Sequence, residues 1–335
     1  MHAVLIENTV GDASKLYIGD APTPIPGVDE VLVKVKAFGL NRLDIWQREG
    51  NYPPPTGSST ILGVEFSGII AAVGADVTQW KIGNEVLGLT GGGAYAEYVL
   101  VFGGHLMHKP AHLSWAQAAS IPENFLTAFQ TLFLCSNLQP GEDVLIHAAA
   151  SGVGLAAIQL ARFHGARTVT GTASSTEKLE MILSMNNGAT HAANYRTADF
   201  VDTVKQATDG KGVDVIIDLV GQSHWTQNIT SLAVDGRMIV VGVVSGTIVP
   251  SVDLLPILGK RIHIQGSNLR AQKATYQTDL ISRFEKEILS LITSDDGSGP
   301  IKTSIHSIYP WTEIQAAHLE MEANKNSGKI IAEIV

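Results

Sequence analysis

Cysteine is almost absent from this chain of 335 residues, which contains only Cys135. A single cysteine excludes a disulfide framework and a cysteine-rich zinc lobe. Charge is also scarce, because charged residues make up 16% of the chain, and 23 basic against 32 acidic side chains give a formal net charge of −9. This acidic excess argues against nucleic acid and against an anionic membrane surface as the main partner.

Long hydrophobic runs are missing as well. No apolar stretch approaches the ~20 residues that cross a bilayer, and the first residues, MHAVLIENTVGD, show no basic stretch followed by an apolar core. We therefore expect a protein of a reducing, cytoplasmic compartment, with no secretory leader and no membrane span. The composition that remains, 45% hydrophobic with 33 glycines, is that of a globular protein. At roughly 150 residues per domain, the length predicts about two domains.

Short apolar stretches separated by glycine and proline turns occupy the first 110 residues. In EVLVKVKAFGL, residues 30–40, the side chains of Val31, Val33 and Val35 share one face of a predicted strand. Similar stretches occur at 65–74, 84–90 and 94–101. Many short strands at this spacing predict a small β-barrel or a partly open sandwich.

Farther along, apolar strands alternate with helices. The pattern turns helical at 116–135, and strands are predicted at 144–149, 166–173, 213–221, 237–242 and 261–269, with helices at 153–164 and 176–185. Strands buried on both faces and separated by helices indicate a parallel, doubly wound sheet. The last part of the chain is predicted to form a helix at 276–294, a strand at 301–308 and a helix at 312–324, where Thr312 and Gln315 fit a capping box.

A glycine-rich loop gives the strongest chemical signal. Residues 152–157, GVGLAA, match G-x-G-x-x-G/A between an apolar strand and a helix, the context of a dinucleotide site. Gly152 permits the tight turn, Gly154 lets the backbone approach a pyrophosphate, and Ala157 allows the helix to pack on the strand. The unpaired N–H groups at the helix start then stabilise phosphate charge.

The end of the second strand indicates which nicotinamide cofactor binds. An NAD site has an acidic residue there to hold the ribose 2′-hydroxyl, but this strand ends in TASS, residues 172–175. The hydroxyls of Ser174 and Ser175, with Lys178 one turn along, are instead suited to a 2′-phosphate, and Tyr195 can cover the adenosine. This pattern favours NADP(H). In the alternative, Ser174 only caps the helix and Lys178 is a solvated surface charge.

The order of these parts, together with several short motifs, resembles the zinc-free quinone oxidoreductases of the medium-chain dehydrogenase/reductase superfamily. This is the zeta-crystallin-like branch, and its stress-inducible members are the most similar. The resemblance covers essentially the whole chain. The motifs that carry it are Asn41-Arg42-Leu43-Asp44, Ile61-Leu62-Gly63-Val64-Glu65, Ile121-Pro122-Glu123, Leu126-Thr127-Ala128-Phe129, Ala150-Ser151-Gly152-Val153-Gly154 and Met321-Glu322-Ala323-Asn324 through Gly328-Lys329-Ile330.

This resemblance implies a fold and a domain arrangement. We expect an α/β protein with a GroES-like β-barrel catalytic domain and a Rossmann domain whose doubly wound parallel sheet binds NADP. The expected boundaries are 1–124 for the first part of the catalytic domain, 125–269 for the Rossmann domain and 270–335 for the return that completes the catalytic domain.

The resemblance also implies that no metal is present. The zinc alcohol dehydrogenases of the superfamily need a cysteine where Asn41 stands and a histidine where Val64 stands, and neither residue here can replace a thiolate or an imidazole ligand. The hydroxyl expected near that metal is replaced by Leu43. A substrate that accepts hydride without Lewis-acid help must already be electrophilic, such as a quinone or an activated enone, and the protein then supplies orientation and electrostatics.

Three residues are the expected catalytic groups. Asn41 can donate a hydrogen bond towards the nicotinamide or a substrate oxygen, Tyr52 can donate one or cover the nicotinamide, and the Ser151 hydroxyl can meet phosphate or substrate. Their alternative roles are a polar group of a turn, a surface aromatic ring and a helix cap. The expected cofactor contacts are Asn41, Tyr52, Thr127, Ser151, Gly152, Val153, Gly154, Ser174, Ser175, Lys178, Tyr195, Val243, Ser245 and Asn324.

The predicted function is NADPH-dependent reduction of quinones by hydride transfer without metal. The alternatives are a reductase of α,β-unsaturated carbonyls, with the same hydride geometry and a different pocket, and an NADPH-binding protein with low turnover, as in the lens crystallins of the family. The sequence at 262–267, IHIQGS, is predicted to form an open sheet edge with no proline or lysine. Edges of this kind pair, and related reductases resemble homodimers built through this strand, so we expect a homodimer.

Overall fold

A computed structural model of the chain describes residues 1–293 and 297–334. In these residues the strands are β1 (His2–Ile6), β2 (Leu16–Asp20), β3 (Glu30–Gly39), β4 (Glu65–Val73), β5 (Glu85–Leu89), β6 (Tyr98–Phe102), β7 (Leu106–His108), β8 (Asp143–Ile146), β9 (Thr168–Ala173), β10 (His191–Asn194), β11 (Val213–Asp218), β12 (Leu232–Val240), β13 (His263–Gly266), β14 (Ile292–Thr293), β15 (Ile301–Lys302), β16 (Ile305–Pro310) and β17 (Lys329–Glu333). The α-helices are α1 (Arg42–Arg48), α2 (Trp115–Ala119), α3 (Pro122–Phe129), α4 (Gly152–Phe163), α5 (Thr176–Ser184), α6 (Phe200–Ala207), α7 (Trp225–Ser231), α8 (Leu255–Lys260), α9 (Ala274–Glu287) and α10 (Ile314–Glu322).

The chain forms two compact units. The first unit combines Met1–Leu126, Leu269–Ser298 and Lys302–Val335, and the second combines Thr127–Asn268 with Gly299–Ile301. Position 294, the expected end of the helix from 276, and position 335, the end of the predicted third segment, lie outside the described residues. None of the helices in the described part of the chain is long and apolar enough to cross a membrane.

A curved, largely antiparallel sheet forms the first unit, with strand order β16-β17-β3-β4-β5-β7 and β6 paired to β3. The valines 31, 33 and 35 of β3 are fully buried, as the alternating pattern predicts. The β3–β4 register shifts at two places, and such bulges bend a strand. At one of them Gly68 is required, because a Cβ there would lie 2.3 Å from the Lys34 carbonyl oxygen.

The second unit is a doubly wound α/β domain. Its six strands are parallel in the order β10-β9-β8-β11-β12-β13, which is the Rossmann order 3-2-1-4-5-6. Both faces carry buried apolar side chains. Leu145, Ile216 and Met238 lie on one face, and Ile146, Ile217 and Ile239 lie on the other. The expected combination of a GroES-like barrel with a Rossmann sheet is therefore confirmed.

Some local predictions are wrong. The capping box of Thr312 and Gln315 does not form, because Thr312 lies in a 3₁₀ turn and α10 begins at Ile314. The Gln315 amide instead donates to the carbonyl oxygens of Ser14 and Leu16, at 3.2 and 2.7 Å. The helix predicted at 116–135 consists of α2, α3 and a π-helical turn at 130–135.

Candidate functional site

The loop between β8 and α4 has the geometry of an anion-binding helix start. Ser151 is the N-cap of α4, and its Oγ accepts from the Gly154 N–H at 3.1 Å. The N–H groups of Gly152 and Val153 belong to the first helical turn, where no intrahelical carbonyl can accept from them. The alternative reading of Ser151 as a helix cap is thus confirmed, and the cap leaves its hydroxyl hydrogen uncommitted.

Glycine roles in this loop differ from the sequence interpretation. The positive φ of the turn is at Ala148, 46°, and not at Gly152. Gly154 is required by its own turn, since a Cβ would lie 2.5 Å from the Ala148 carbonyl oxygen. Ala157 is fully buried, in agreement with helix-on-strand packing.

Two cations flank the ends of β9 and β10. Burial lowers the pKa of Lys178, and the like charge of Arg196 lowers that pKa further. Ser175, rather than Ser174, caps α5 and accepts from the Lys178 N–H at 3.4 Å. Ser174 is half-buried beside it. Sequence reasoning missed Arg196, although a cation directly after a strand that neighbours β9 was a usable signal.

An aromatic cluster lies beside these cations. The half-exposed ring of Tyr195 meets the His224 ring edge-on, with 5.3 Å between centroids, and His224 is also edge-on to His147 at 4.8 Å. Burial lowers the pKa of both imidazoles to about 4, so both are neutral at pH 7. His147 is held by Thr172 and Asn228, whereas the buried Nε2 of His224 has no hydrogen-bond partner among the described residues. The sequence pattern had not singled out His224.

The remaining expected contacts of the second unit have structural partners. The Ser245 hydroxyl donates to the Val220 carbonyl at 2.8 Å and accepts from the Ser223 N–H at 2.9 Å. Val243 is half-buried in the same loop. Thr127 is buried, and its carbonyl accepts from the Thr131 hydroxyl at 2.9 Å.

In the first unit, Asn41 lies in a buried polar cluster. Its Nδ2 donates to Glu65 Oε1 at 2.9 Å, and its Oδ1 accepts from Lys329 Nζ at 2.8 Å. Lys329 and Glu65 form a direct ion pair, with 4% and 0% of their side chains exposed. The amide of Asn41 is therefore oriented by a buried cation and a buried anion. Lys329 was quoted only as part of a motif, and its pairing could not be read from sequence.

Asp44, on α1, belongs to the same buried cluster as Asn41. Its carboxylate accepts from the backbone N–H groups of Asn41 at 2.8 Å and Gly63 at 3.1 Å, and from the Tyr95 hydroxyl at 3.2 Å. Burial raises the pKa of Asp44 to about 6, against the opposing effect of these hydrogen bonds. Asp44 and Glu65 thus hold this part of the first unit through hydrogen bonds.

Tyr52 packs against a buried guanidinium. The Cζ atom of Arg270 lies 5.6 Å from the Tyr52 ring centroid, a cation–π distance. Arg270 donates from Nε and Nη2 to the Gly91 carbonyl, at 2.9 and 2.6 Å, and from Nη2 to Gln47 Oε1 at 2.6 Å. Its Nη1 is buried and has no hydrogen-bond partner among the described residues. Arg270 carries no local motif, so sequence reasoning missed it.

Glu123 lies at the start of α3 and, like Arg270, has a buried side-chain atom without a hydrogen-bond partner among the described residues. Its backbone N–H donates to Glu65 Oε2 at 2.8 Å, but its own Oε2 is buried and unpartnered within residues 1–293 and 297–334. Burial, and then the charge of Glu65, raise the pKa of Glu123 to about 7.

Asn324, the last of the expected contacts, follows α10 with φ 53°. Its Oδ1 accepts from Arg42 Nη2 at 2.6 Å, and the same guanidinium nitrogen donates to the Met321 carbonyl at 2.8 Å. The structure therefore ties Asn324 to the start of α1.

Potential metal ligands are not grouped in the part of the chain that the structure describes. Val64 is fully buried and apolar, and the Asn41 amide is engaged as described. Within the described residues, no group of three or more His, Cys, Asp and Glu side chains is arranged to hold a metal ion.

Comparison with known proteins agrees with this architecture. Residues 27–111 match the model of the alcohol dehydrogenase GroES-like domain, and residues 152–286 match that of the zinc-binding dehydrogenases. Human quinone oxidoreductase is 32% identical over 335 residues, 99% of this chain and 97% of that protein. The rat synaptic vesicle membrane protein VAT-1 homolog is 32% identical over 335 residues, 96% of this chain and 80% of that protein.

Solved structures give the same result. Escherichia coli quinone oxidoreductase complexed with NADPH matches with a TM-score of 0.88 and 30% identity, covering 100% of both chains. CurK enoyl reductase matches with a TM-score of 0.85 and 30% identity, covering 100% of this chain and 99% of that one. The chain therefore belongs to the medium-chain dehydrogenase/reductase superfamily of oxidoreductases, with quinone oxidoreductases among its relatives.

Proposed function

We propose that this protein is an NADPH-dependent reductase that transfers hydride to small quinones without a metal ion. The observation that carries the proposal is that β9 is followed by Ser174 and Ser175 rather than by an acid, with Lys178 on the next helix and Arg196 just after β10. Two cations there attract a 2′-phosphate, whereas an NAD site presents a carboxylate to the ribose hydroxyl.

The chain's own residues fit this cofactor. The open start of α4 at Gly152 and Val153 presents N–H donors, and a helix start stabilises phosphate charge. Ser151 keeps a hydroxyl hydrogen for the same oxygens, and Tyr195 offers an exposed ring face to the adenosine. We assign Thr127, Val243, Ser245 and Asn324 to the walls around the cofactor. When bound, the nicotinamide supplies the hydride.

Asn41 and Tyr52 are the proposed polar contacts of the first unit to nicotinamide or substrate. The ion pair of Glu65 and Lys329 fixes both ends of the Asn41 amide, so its orientation is set before any ligand arrives. Preorganised groups of this kind lower the cost of reaching the reactive geometry. With Val64 in place of an imidazole, the chain lacks the donor set for catalytic zinc.

Reduction of α,β-unsaturated carbonyls is the second candidate. The observation that favours it is the TM-score of 0.85 with CurK enoyl reductase, close to the 0.88 found with the E. coli quinone oxidoreductase. An NADPH-binding protein with little turnover is the third candidate. Against this third reading, the chain retains Asn41, Tyr52 and Lys178 together.

Oxidation of NADPH and NADH, followed with 1,2-quinones, 1,4-quinones and a panel of enones, separates the three candidates. We expect turnover with quinones, preference for NADPH, and the same rates in protein treated with a chelator. Turnover with enones alone would favour the second candidate, and tight NADPH binding without turnover the third. Zinc found at one ion per chain and lost together with activity would contradict the metal-free mechanism.

The proposed function also bears on where the protein acts and what it binds. We propose a cytoplasmic enzyme whose partners are its small substrate and a second copy of itself, with neither nucleic acid nor membrane as a partner. The net charge of −9 supports the exclusion of nucleic acid.

A further inference from the structure

Among the described residues of the first unit, two buried side-chain atoms have no hydrogen-bond partner. They are Arg270 Nη1 and Glu123 Oε2. A buried polar group left without a hydrogen bond is costly, more so when it is charged, so most such groups in native folds have a protein, water or ligand partner. Arg270 is 6% exposed.

The two residues share one electrostatic environment. Burial lowers the pKa of Arg270, whereas the charges of Asp44, Tyr52 and Glu123 raise it. Burial raises the pKa of Glu123, and the charge of Arg270 lowers it.

Hydrogen bonds connect both residues to α1 and the residue before it. Arg270 donates to Gln47 on α1 at 2.6 Å, and the Glu123 N–H donates to Glu65, which accepts from Asn41 at 2.9 Å. The donor and the carboxyl therefore lie in the same part of the first unit. The Tyr52 ring stands against the guanidinium in that region.

The rest of the Arg270 guanidinium is fixed. Three hydrogen bonds to the Gly91 carbonyl and to Gln47 hold Nε and Nη2, and Gln47 is itself held by its donation to the Thr60 carbonyl at 3.0 Å. A guanidinium held on one edge presents the donors of its free nitrogen in a set direction. The fold has thus oriented an unused pair of N–H groups beside an aromatic ring.

On this basis, and resting on the proposed function, we propose that Arg270 and Glu123 form the carbonyl-binding end of the substrate site. In this assignment, Arg270 Nη1 donates to the carbonyl oxygen of an uncharged quinone or enone, the Tyr52 ring packs against its plane, and Glu123 protonates that oxygen. Both residues are catalytic in the sense that they contact the reacting carbonyl.

In this step the acceptor gains one hydride and one proton. Hydride adds to the conjugated acceptor, an electron pair of the C=O bond moves on to the oxygen, and the Glu123 carboxyl gives its proton to that oxygen. The Arg270 charge stabilises the negative charge while it develops, which is the role of a preorganised oxyanion donor. The Glu123 carboxylate then takes a proton from water, and the oxidised nicotinamide and the reduced acceptor leave.

The charges around Glu123 suit an acid that works near pH 7. Glu65 on β4 and Asp44 on α1 raise its pKa, whereas Lys329 on β17 and Arg270 lower it, and burial makes the largest contribution. The resulting pKa of about 7 allows the carboxyl to hold a proton near neutral pH. The carboxyls of Asp44, Glu65 and Glu123 also oppose an anionic substrate, which is why the proposal specifies an uncharged one.

The test compares wild type with R270K, E123Q and E123D. A lysine keeps the charge of Arg270 but lacks the planar guanidinium and its second donor nitrogen. For R270K we expect kcat/KM for 1,4-naphthoquinone to fall about 10- to 100-fold, as for loss of one charge-assisted hydrogen bond, with an NADPH Kd within about twofold of wild type. R283K, on the solvent side of α9, is the matched control and keeps wild-type values.

In wild type we expect kcat to decrease on the alkaline side with a midpoint near pH 7. For E123Q we expect kcat at pH 7 to fall at least tenfold and this alkaline decrease to be lost. E123D retains a carboxyl and recovers part of kcat. If the two residues were purely structural, E123Q and R270K would have a lower thermal midpoint, but kcat of E123Q would still decrease at alkaline pH. That result would overturn the assignment.

Substrate charge and product binding supply two further measurements. The sulfonated analogue of naphthoquinone should be reduced with a lower kcat/KM than the uncharged ring, and a higher value would overturn the substrate class. Hydroquinone titrated calorimetrically into wild type with NADP⁺ present should bind more tightly than into R270K, and equal affinities would overturn the role of Arg270. If wild type reduces no quinone or enone at all, the proposed function fails; if it does and these variants match it, only this inference fails.

Discussion

At the residue scale, cofactor preference depends on two side chains from neighbouring loops. Lys178 begins its helix behind the Ser175 cap, and Arg196 follows the adjacent strand. Burial, and then the like charge of Arg196, lower the pKa of Lys178, so a bound 2′-phosphate would favour the charged form of the lysine and could form an ion pair with each cation. This arrangement leads to the first prediction.

We predict that Lys178→Ala and Arg196→Ala each weaken NADPH binding by roughly 10- to 100-fold, the effect of ~1.5–3 kcal/mol for one charged hydrogen bond. Affinity for NADH, which has no 2′-phosphate, should stay within about twofold. Calorimetric titration with both cofactors measures this, and Lys205→Ala on the exposed side of α6 is the control. If the variants bind both cofactors as wild type does, neither Lys178 nor Arg196 contributes to binding of the 2′-phosphate.

The sequence identified site residues that lie in one local motif and did not identify those that depend on distant contacts. Ser151 and Gly154 were recognised because a phosphate loop is local, and its residues follow one another in the chain. Arg270 was missed and Glu123 was quoted only within a motif, because the feature that singles them out is a buried atom without a hydrogen-bond partner, which only the packed structure creates. Lys329 was missed for a related reason, since its partner Glu65 is 264 positions away.

At the scale of elements, buried β-strands were predicted well and their ends poorly. The central strand of the second unit was expected at 144–149 but ends at Ile146, because the chain turns at Ala148 with a positive φ. The strand expected at 301–308 is split into β15 and β16. Apolar periodicity follows the core, whereas an end depends on which backbone groups find other partners.

Contact between α1 and α10 of the first unit introduces a pH-sensitive element. Arg48 on α1 is fully buried and lies 3.0 Å from His318 Nδ1, and the other His318 nitrogen lies 3.3 Å from the Tyr95 hydroxyl. Burial, and then the charge of Arg48, lower the pKa of His318 to about 3. The imidazole is therefore neutral in the folded protein across the physiological range.

We predict that this histidine makes the first unit sensitive to acid. An unfolded histidine gains a proton below about pH 6.5, but His318 in the folded state does not, so its stabilisation is present above pH 6.5 and is lost as the pH falls towards 3. Between pH 6.5 and 5, the free energy of unfolding should fall by ~2 kcal/mol more in wild type than in His318→Gln.

Urea unfolding followed by tryptophan fluorescence measures this difference, since Trp46, Trp80, Trp115 and Trp311 all belong to the first unit. His2→Gln, at an exposed position, is the control and should follow wild type. Equal pH dependence in wild type and His318→Gln would show that His318 contributes nothing to acid sensitivity.

At the scale of the whole molecule, the second unit presents an unpaired sheet edge next to exposed apolar side chains. Strand β13 is the last strand of its sheet in the described chain, and Ile264 within it is 39% exposed. The exposed apolar side chains nearby in sequence are Val244, Ile248, Leu254, Leu255 and Leu258. Such an edge and patch attract another chain unless something covers them.

We predict a homodimer in which two β13 strands pair about a two-fold axis, with Ile264 near that axis. Ile264→Pro removes a backbone donor and should give monomers or insoluble protein, whereas Ile264→Val should leave the dimer intact. Sedimentation equilibrium gives the mass, and a wild-type species at the single-chain mass of 35.6 kDa would contradict the prediction. The proposed cofactor site does not depend on this result.

The position of β17 between β16 and β3 has a consequence for how the protein is made on the ribosome. Gly39 pairs with Ile331, which is synthesised about 290 residues later, whereas most of the second unit is one continuous segment from Thr127 to Asn268. When most of the Rossmann sheet has been synthesised, β3 has β4 and β6 as neighbours but still lacks β17, and Glu65 still lacks the cation of Lys329. The first unit is thus expected to complete its fold only after the C-terminal strands have left the ribosome.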